Sequence, residues 1–381
     1  MSAAPIEGRS FAAAQDFLLA TKTYWTTRLY PALRAEYERR AARAEPPPQT
    51  PQEVGALLAD STLYQYFAWL ERHLQRFKYS GRYGLQPWHA QQREALEAEL
   101  DPARLPEGLL ELDPALDLPR YYTSVDIHQH PGGVWSDPIA GFVYERGART
   151  TTPLAGSRHR DLHDRFTALA TARGARPRRI LDMACGFGKS TRPFYESFPD
   201  AEVHGVDLAA PCVKLAARDA AAAGARNVRF RQMDAAATDY ADGTFDLVTS
   251  SMFLHEMPPP AVERTLAEAA RVLAPGGRMV HLDFLPQVQP RGDAFTRFIH
   301  ETHGRRNNEP YMAPLARMDL AALLERLGLT NVEITPFEEA DGTLDPQYPN
   351  WRFPWTLIVA EKPAATVASG AASCGHERDR A

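Results

Sequence analysis

Three carboxylates and a pair of glycines are spaced to grip a nucleoside. Ile180 and Leu181 read as the end of an apolar strand, Asp182 closes it, and Gly186-x-Gly188 follows. Glycines let the backbone turn sharply and approach a ligand. A polar helix start comes next, and a helix N-terminus offers free N–H groups and the positive end of a dipole. Strand, glycine turn and helix make a nucleotide-sized cradle. About 25 residues beyond Asp182, the run 203–207 ends in Asp207, and an acid at such a strand end can take both ribose hydroxyls. Asp234 follows the run 228–232 in the same way.

Two rival cradles fail. A phosphate-gripping P-loop needs G-x-x-x-x-G-K-[ST], and Met183 stands where its first glycine belongs. The dinucleotide fingerprint G-x-G-x-x-G meets Thr191 at its third glycine and has no role for Asp182. Strands are expected at 203–207, 228–232, 245–250 and 278–284. The helix before the last of these puts Val262, Leu266, Ala269, Ala270 and Leu273 on one face. It stops at Ala274-Pro275-Gly276-Gly277.

This ordered set resembles the class I S-adenosylmethionine (SAM) methyltransferases, in the branch whose first motif reads D-x-x-x-G-x-G, over roughly residues 157–362. The resemblance implies an α/β fold, a Rossmann-like seven-stranded mostly parallel sheet with flanking helices, and SAM as the cofactor. By position it assigns Asp182 to orienting the loop and the methionine amino group, with Gly186 and Gly188 passing beneath the cofactor. Asp207 would hold the ribose, and Asp234 the adenine amino group with Met233 on the ring. Ala184 and Leu208 join the cofactor-binding set. Ser250 and Ser251 would end the fourth strand near the reacting sulfonium. His255, just beyond, is the candidate general base, and its competing role is to orient the loop or cap a helix.

Residues 1–156 are expected to lie outside the sheet as a mostly helical N-terminal domain. Helical stretches are read at 11–43, 54–77 and 87–100, with a break at Pro46-Pro47-Pro48. Two segments look built for a ligand. The first runs from Tyr121 and Tyr122 through His128, His130 and Trp135 to Tyr144. The second, residues 285–317, is read as a long connection without regular structure, serving as a lid at the strand ends where ligands bind. It carries His300, His303 and Tyr311. Tyr121, Tyr122, His128, Tyr144, His300, His303 and Tyr311 are the candidate substrate contacts. The histidines could meet Asp126, Asp283 or Glu301 around a metal. No tight motif such as His-Glu-x-x-His is present, so they read as hydrogen-bonding or substrate-contacting groups and no metal is expected.

The 381 residues are enough for two or three domains, and 44% hydrophobic with 24% charged residues describes a globular chain. A net charge of −5 gives no broad basic surface for nucleic acid. No apolar run approaches the ~18 residues of a membrane span. Cys185, Cys212 and Cys374 lack metal spacing and point to a reducing cytoplasm without structural disulfides. Residues 363–381 are small and polar, and disorder is expected there. The partner expected is a small molecule, and a homodimer is left open.

The implied chemistry is in-line attack of an acceptor on the sulfonium methyl, a task of alignment and water exclusion. N-, O-, S- and C-acceptors stay open. Two other readings compete: the same cradle could transfer or cyclise the aminocarboxypropyl arm, or the chain could be a non-catalytic SAM-binding partner protein.

Overall fold

The structure is a computed structural model that describes residues 6–149, 159–172 and 176–365. The domain boundary read at 156/157, the tail beyond residue 365 and Cys374 lie outside the described residues. Eight strands form one sheet: β1 (Leu110–Glu111), β2 (Arg179–Met183), β3 (Glu202–Asp207), β4 (Val228–Gln232), β5 (Phe245–Ser251), β6 (Leu273–Phe284), β7 (Thr330–Pro336) and β8 (Trp355–Glu361). Their order is β1-β4-β3-β2-β5-β6-β8-β7, parallel from β1 to β6, with β8 antiparallel to both its neighbours. The central strands β2 and β5 are almost wholly buried, as expected where helices cover both faces. The chain runs outward from β2 to β3 and β4, then returns to the other side of β2 at β5. That reversal makes a crevice at the carboxyl ends of β2 and β5, where ligands bind in such sheets.

The sequence reading puts residues 1–156 outside the sheet and counts seven strands. The structure adds an eighth from that region. Leu110 pairs with Phe230 and Glu111 with Arg231. Arg231 clamps the Glu111 carboxylate with two N–H donors at 2.8 and 2.9 Å, and Phe230 N donates to Leu109 O at 2.8 Å. Two residues are too few to show alternation, so side-chain partners rather than periodicity define this edge.

Helices α1 (Gly8–Tyr24) and α2 (Tyr30–Ala41) are joined by a π-helical turn, Trp25–Leu29. The stretch 54–77 is two helices, α3 (Pro51–Leu57) and α4 (Thr62–Ser80), because Thr50 and Ser61 each cap a new start. The stretch 87–100 also divides, into α5 (Leu85–Ala90) and α6 (Arg93–Glu99). Then come α7 (Arg120–Thr123), α8 (Ala140–Ala148), α9 (His159–Ala170), α10 (Arg192–Ser197), α11 (Ala210–Ala222), α12 (Pro259–Val272), α13 (Ala294–Asn307), α14 (Met312–Ala316) and α15 (Leu320–Arg326).

The insertion 285–317 is the largest departure from the sequence reading. Its middle is α13, a 14-residue helix, not an irregular lid. Asp293 caps it by accepting from Thr296 N at 2.8 Å, and Arg34 of α2 donates to the same carboxylate at 2.7 Å. Phe295, Phe298 and Ile299 are buried. Phe298 lies against Gly55 of α3, where an added Cβ would stand only 3.2 Å from the ring. One apolar cluster runs from Leu33 and Phe67 through Phe295 and Phe298 to Trp355 and Ile180, so the N-terminal helices and one sheet face share a core. No helix among the described residues is long and apolar enough to cross a membrane.

Candidate functional site

The glycine loop between β2 and α10 is held from behind. Asp182 is fully buried and accepts from Ser190 Oγ and Thr191 Oγ1, both at 2.7 Å, and from Thr249 Oγ1 at 3.3 Å. Burial pushes its carboxyl up to about 6 against those three hydrogen bonds. Asp182 therefore orients the loop, and it does not line the cavity in front. Ala184, Gly186 and Gly188 all have positive φ, at 55, 52 and 79°. A Cβ on Gly188 would stand 2.8 Å from Ala216 Cβ of α11, so loop and helix touch there only because the residue is glycine.

Asp207, at the end of β3, accepts from Gly186 N at 2.9 Å and Ala209 N at 2.8 Å. Its remaining face lines the cavity together with Gly186, Leu208, Met233 and Asp234. Tyr121 and Tyr122 lie at this end too. Burial raises the Tyr121 hydroxyl to about 12, with the Asp234 charge adding to it. Burial and then Asp207 hold the Tyr122 hydroxyl well above its usual range. Both tyrosines thus line the cavity within the influence of these carboxylates, Tyr121 of Asp234 and Tyr122 of Asp207.

The cavity continues from the loop into a chamber walled by α1, α4, α8 and α13. Its empty space, counted with the solvent at its open mouth, is about 1730 Å³. His128 sits on its wall between two carboxylates, Glu256 at 3.2 Å from Nε2 and Glu309 at 3.1 Å from Nδ1. Burial disfavours its charge, but Glu256 and Glu309 outweigh that and lift it to about 9. The ring also stacks 5.9 Å from Tyr144. His128 and Gln129 both have positive φ, 58 and 56°, although neither is glycine. Two such residues in a row mark backbone held under strain by its surroundings.

His255 does not open onto the cavity. It is buried, with Nδ1 2.7 Å from Asp283 Oδ1 and Nε2 3.5 Å from Glu256 Oε1. Burial opposes its charge, while Asp283 and Glu256 raise it well above the ordinary histidine value. Asp283 also takes the N–H groups of Phe253 and Leu254 at 3.1 and 2.7 Å. Asp283 thereby ties His255 to the loop that follows β5. What reaches the cavity is the neighbour of His255, Glu256, whose Oε1 is shared by both histidines and whose buried Oε2 has no hydrogen-bond partner among the described residues. Ser251 also lines the cavity, its buried hydroxyl without a partner among the described residues, whereas Ser250 is turned to His281 Nδ1 at 2.8 Å.

His303 lines the chamber, and its Nδ1 lies 2.6 Å from Glu71 of α4, which also binds Arg306. His300 is buried behind, with burial pushing it down to about 3. Tyr311 packs edge-on to Tyr121 at 6.3 Å without reaching the cavity. The carboxylates flanking His128 approach different ring nitrogens, Glu256 at Nε2 and Glu309 at Nδ1. No group of three metal-ligating side chains converges among the described residues.

Sequence reasoning missed Lys22, Gln75, Lys78 and Tyr79 on α1 and α4, all of which line the chamber. A signal existed. Phe67, Leu70 and Leu74 set the buried stripe of α4, and Glu71, Gln75 and Lys78 fall on that same stripe. Polar residues at core positions of a helix point to a site.

Residues 180–277 match the family model described as a methyltransferase domain. A demethylmenaquinone methyltransferase of Thermus thermophilus is 42% identical over 132 residues, covering 35% of this chain and 58% of the relative. One from Deinococcus radiodurans is 38% identical over 122 residues, covering 32% and 49%. The chain thus spans about half the length of these relatives. A solved phosphoethanolamine N-methyltransferase of Haemonchus contortus aligns at 18% identity over 52% of each chain, with a TM-score of 0.41.

Proposed function

We propose that this chain, whose sheet carries a class I SAM-dependent methyltransferase domain, is an enzyme that methylates a small molecule. The carrying observation is that one cavity joins the glycine loop, Asp207 and Asp234 to a chamber lined by Tyr79, Tyr144, His303 and Phe353. A binding-only partner needs the first part. An acceptor needs the second.

The cradle fits the cofactor: the glycine turn lets backbone pass beneath a ligand, and acids end β3 and follow β4 where a nucleoside offers hydroxyl and amino donors. When bound, SAM supplies a methyl group already activated on a sulfonium. Asp207 would hold the ribose and Asp234 the adenine amino group, with Met233 against the ring and Ala184 and Leu208 completing the wall. Tyr121 and Tyr122 would close that end. Glu256, which lines the cavity, would face the acceptor's O–H or N–H. His128 and His255 hold that carboxylate well below its ordinary range despite burial. Glu256 therefore orients the acceptor more than it deprotonates it, and alignment with water exclusion is the main device. His255 becomes a positioning residue. His128, Tyr144 and His303 are the acceptor-side contacts we retain, and His300 and Tyr311 are not among them.

On this reading residues 1–156 form the acceptor-side domain and 157–362 the SAM domain. The buried free thiols Cys185 and Cys212 agree with a cytoplasmic location, and sedimentation decides between monomer and homodimer. The similarity to bacterial demethylmenaquinone methyltransferases makes a planar aromatic acceptor the first class to test. The test is incubation with methyl-labelled SAM and a metabolite extract, read by mass spectrometry. Labelled methyl in a product, with S-adenosylhomocysteine formed, is expected. Release of methylthioadenosine would instead mark transfer of the aminocarboxypropyl arm and overturn the reading.

A further inference from the structure

The two ends of the cavity differ in charge. Acids stand at the sheet end, Asp207 and Asp234, whereas Lys22 of α1 and Lys78 of α4 line the helical end. Lys78 is 5% exposed. Among the described residues its Nζ reaches the Gly147 carbonyl, at 3.5 Å, and the Tyr79 ring, 4.7 Å from the centroid. Neither lysine has a carboxylate within ion-pair distance among the described residues. The nearby acids are already engaged, Glu71 by His303 and Arg306, and Glu309 by His128.

A buried ammonium without a counter-charge is costly, and natural interiors pair such groups. Burial pushes the Lys78 amine well down, and the Lys22 charge adds to that. Burial lowers Lys22 as well, although Glu71 and Glu309 act against it. Gln75, one turn before Lys78, is fixed by donating to the His128 carbonyl at 2.8 Å, so this wall is built around the strained turn. Elsewhere on the cavity wall, Phe353 stacks 4.5 Å from Phe284, and both rings line the same cavity.

We propose that Lys22 and Lys78 form a subsite for the carboxylate of a small acidic acceptor, whose planar apolar body lies along Phe284 and Phe353. The inference rests on the methyl-transfer reading and gives it a substrate class. A bound carboxylate takes charge-assisted hydrogen bonds from both amines and supplies the missing negative charge. The acidic nucleoside end repels the same group, so the two ends sort a cationic cofactor from an anionic acceptor.

The test uses the full chain and two probes of equal shape, benzoate and benzamide, followed by ligand-observed NMR, which reads millimolar affinities. Benzoate should bind at least roughly tenfold more tightly than benzamide, the scale of one charge-assisted contact. Lys78→Met and Lys22→Met should each remove that preference while melting temperature and S-adenosylhomocysteine binding stay near wild type. Lys78→Arg should keep part of it. Equal affinity for the two probes, or a preference that survives both methionine variants, overturns the proposal. Because Lys22 is only half-buried, its variant keeps the test alive if Lys78→Met fails to fold. S-adenosylhomocysteine binding and methyl transfer, measured without the probes, test the parent reading separately.

Discussion

Asp207 is held by two backbone N–H groups and still presents a face to the cavity. Asp207→Ala should weaken S-adenosylhomocysteine by roughly 1–3 kcal/mol, since buried hydroxyls would lose a charged partner. Calorimetry checks this, and an unchanged affinity would remove Asp207 from the site. His255 tests a different claim. Removing it leaves the fully buried Asp283 without its cation, so His255→Ala should cost about 2–4 kcal/mol of stability along with turnover. A base open to substrate would instead lose turnover with the denaturation midpoint unmoved. His128 gives a pH signature. Its folded value, about 9, lies above the ordinary 6.5. Its contribution is therefore complete below about pH 6.5 and is lost as pH rises through about 9. Lys22 and Lys78, pushed down by burial, act in the opposite sense. Glu256 and Glu309, held low, matter only in acid. The urea midpoint of wild type minus that of His128→Gln should thus shrink between about pH 7 and 9.5, and a constant difference would contradict the clamp. At this scale the sequence was legible where a motif fixes order: Asp182, Gly186, Gly188, Asp207 and Asp234 all converge on one loop and its cavity rim. It was not legible where partners come from far away. Nothing near His255 in sequence announces Asp283, and nothing near His128 announces Glu309.

Helix α13 shows the same division among elements. A cap at Asp293 and apolar residues at Phe295, Phe298 and Ile299 were available as helix signals. They were obscured because the next positions on the buried face are polar: Thr302, His303 and Arg306. His303 and Arg306 are answered by Glu71 of α4, and Thr302 donates to the Phe298 carbonyl of its own helix. Polar periodicity across two helices distant in sequence cannot be read from either alone. The Glu71 link is therefore a test of how α4 and α13 are joined. Glu71→Gln keeps the shape and removes the charge that faces His303 and Arg306. Leaving the Arg306 guanidinium buried without its anion should cost about 3–5 kcal/mol. Chemical denaturation should show a lower midpoint with the same slope, because the surface exposed on unfolding is unchanged. Glu71→Leu with Arg306→Leu should recover much of the loss, since an apolar pair of similar volume needs no counter-charge.

In the whole molecule, the parallel sheet and its switch point follow from alternating strands and helices, and the sequence carried that plan almost strand for strand. What it could not carry is the closeness of the N-terminal helices to the sheet. Trp25 stacks 4.4 Å from Phe67 and meets Trp351 edge-on at 5.1 Å, and Tyr37 lies 4.8 Å from Phe295. The last two contacts join residues more than 250 positions apart, and α4 supplies Gln75, Lys78 and Tyr79 to the same cavity that begins at the glycine loop. Removing the N-terminal region should therefore do two things at once. A chain beginning at Ala155 keeps Asp182, Gly186, Gly188, Asp207 and Asp234, so it should still bind S-adenosylhomocysteine, though weakened by the loss of Tyr121 and Tyr122. It loses the acceptor wall, so methyl transfer should fall below detection. It also bares Phe295, Phe298, Trp351 and Phe353, so its melting temperature should drop and it should bind a hydrophobic dye. Supplying residues 1–154 as a separate polypeptide should reduce the dye signal and restore some turnover if the shared core drives reassembly. Undiminished turnover of the shortened chain by itself would mean that the acceptor is held by the sheet domain alone, and the chamber between α4 and α13 would lose its assigned role.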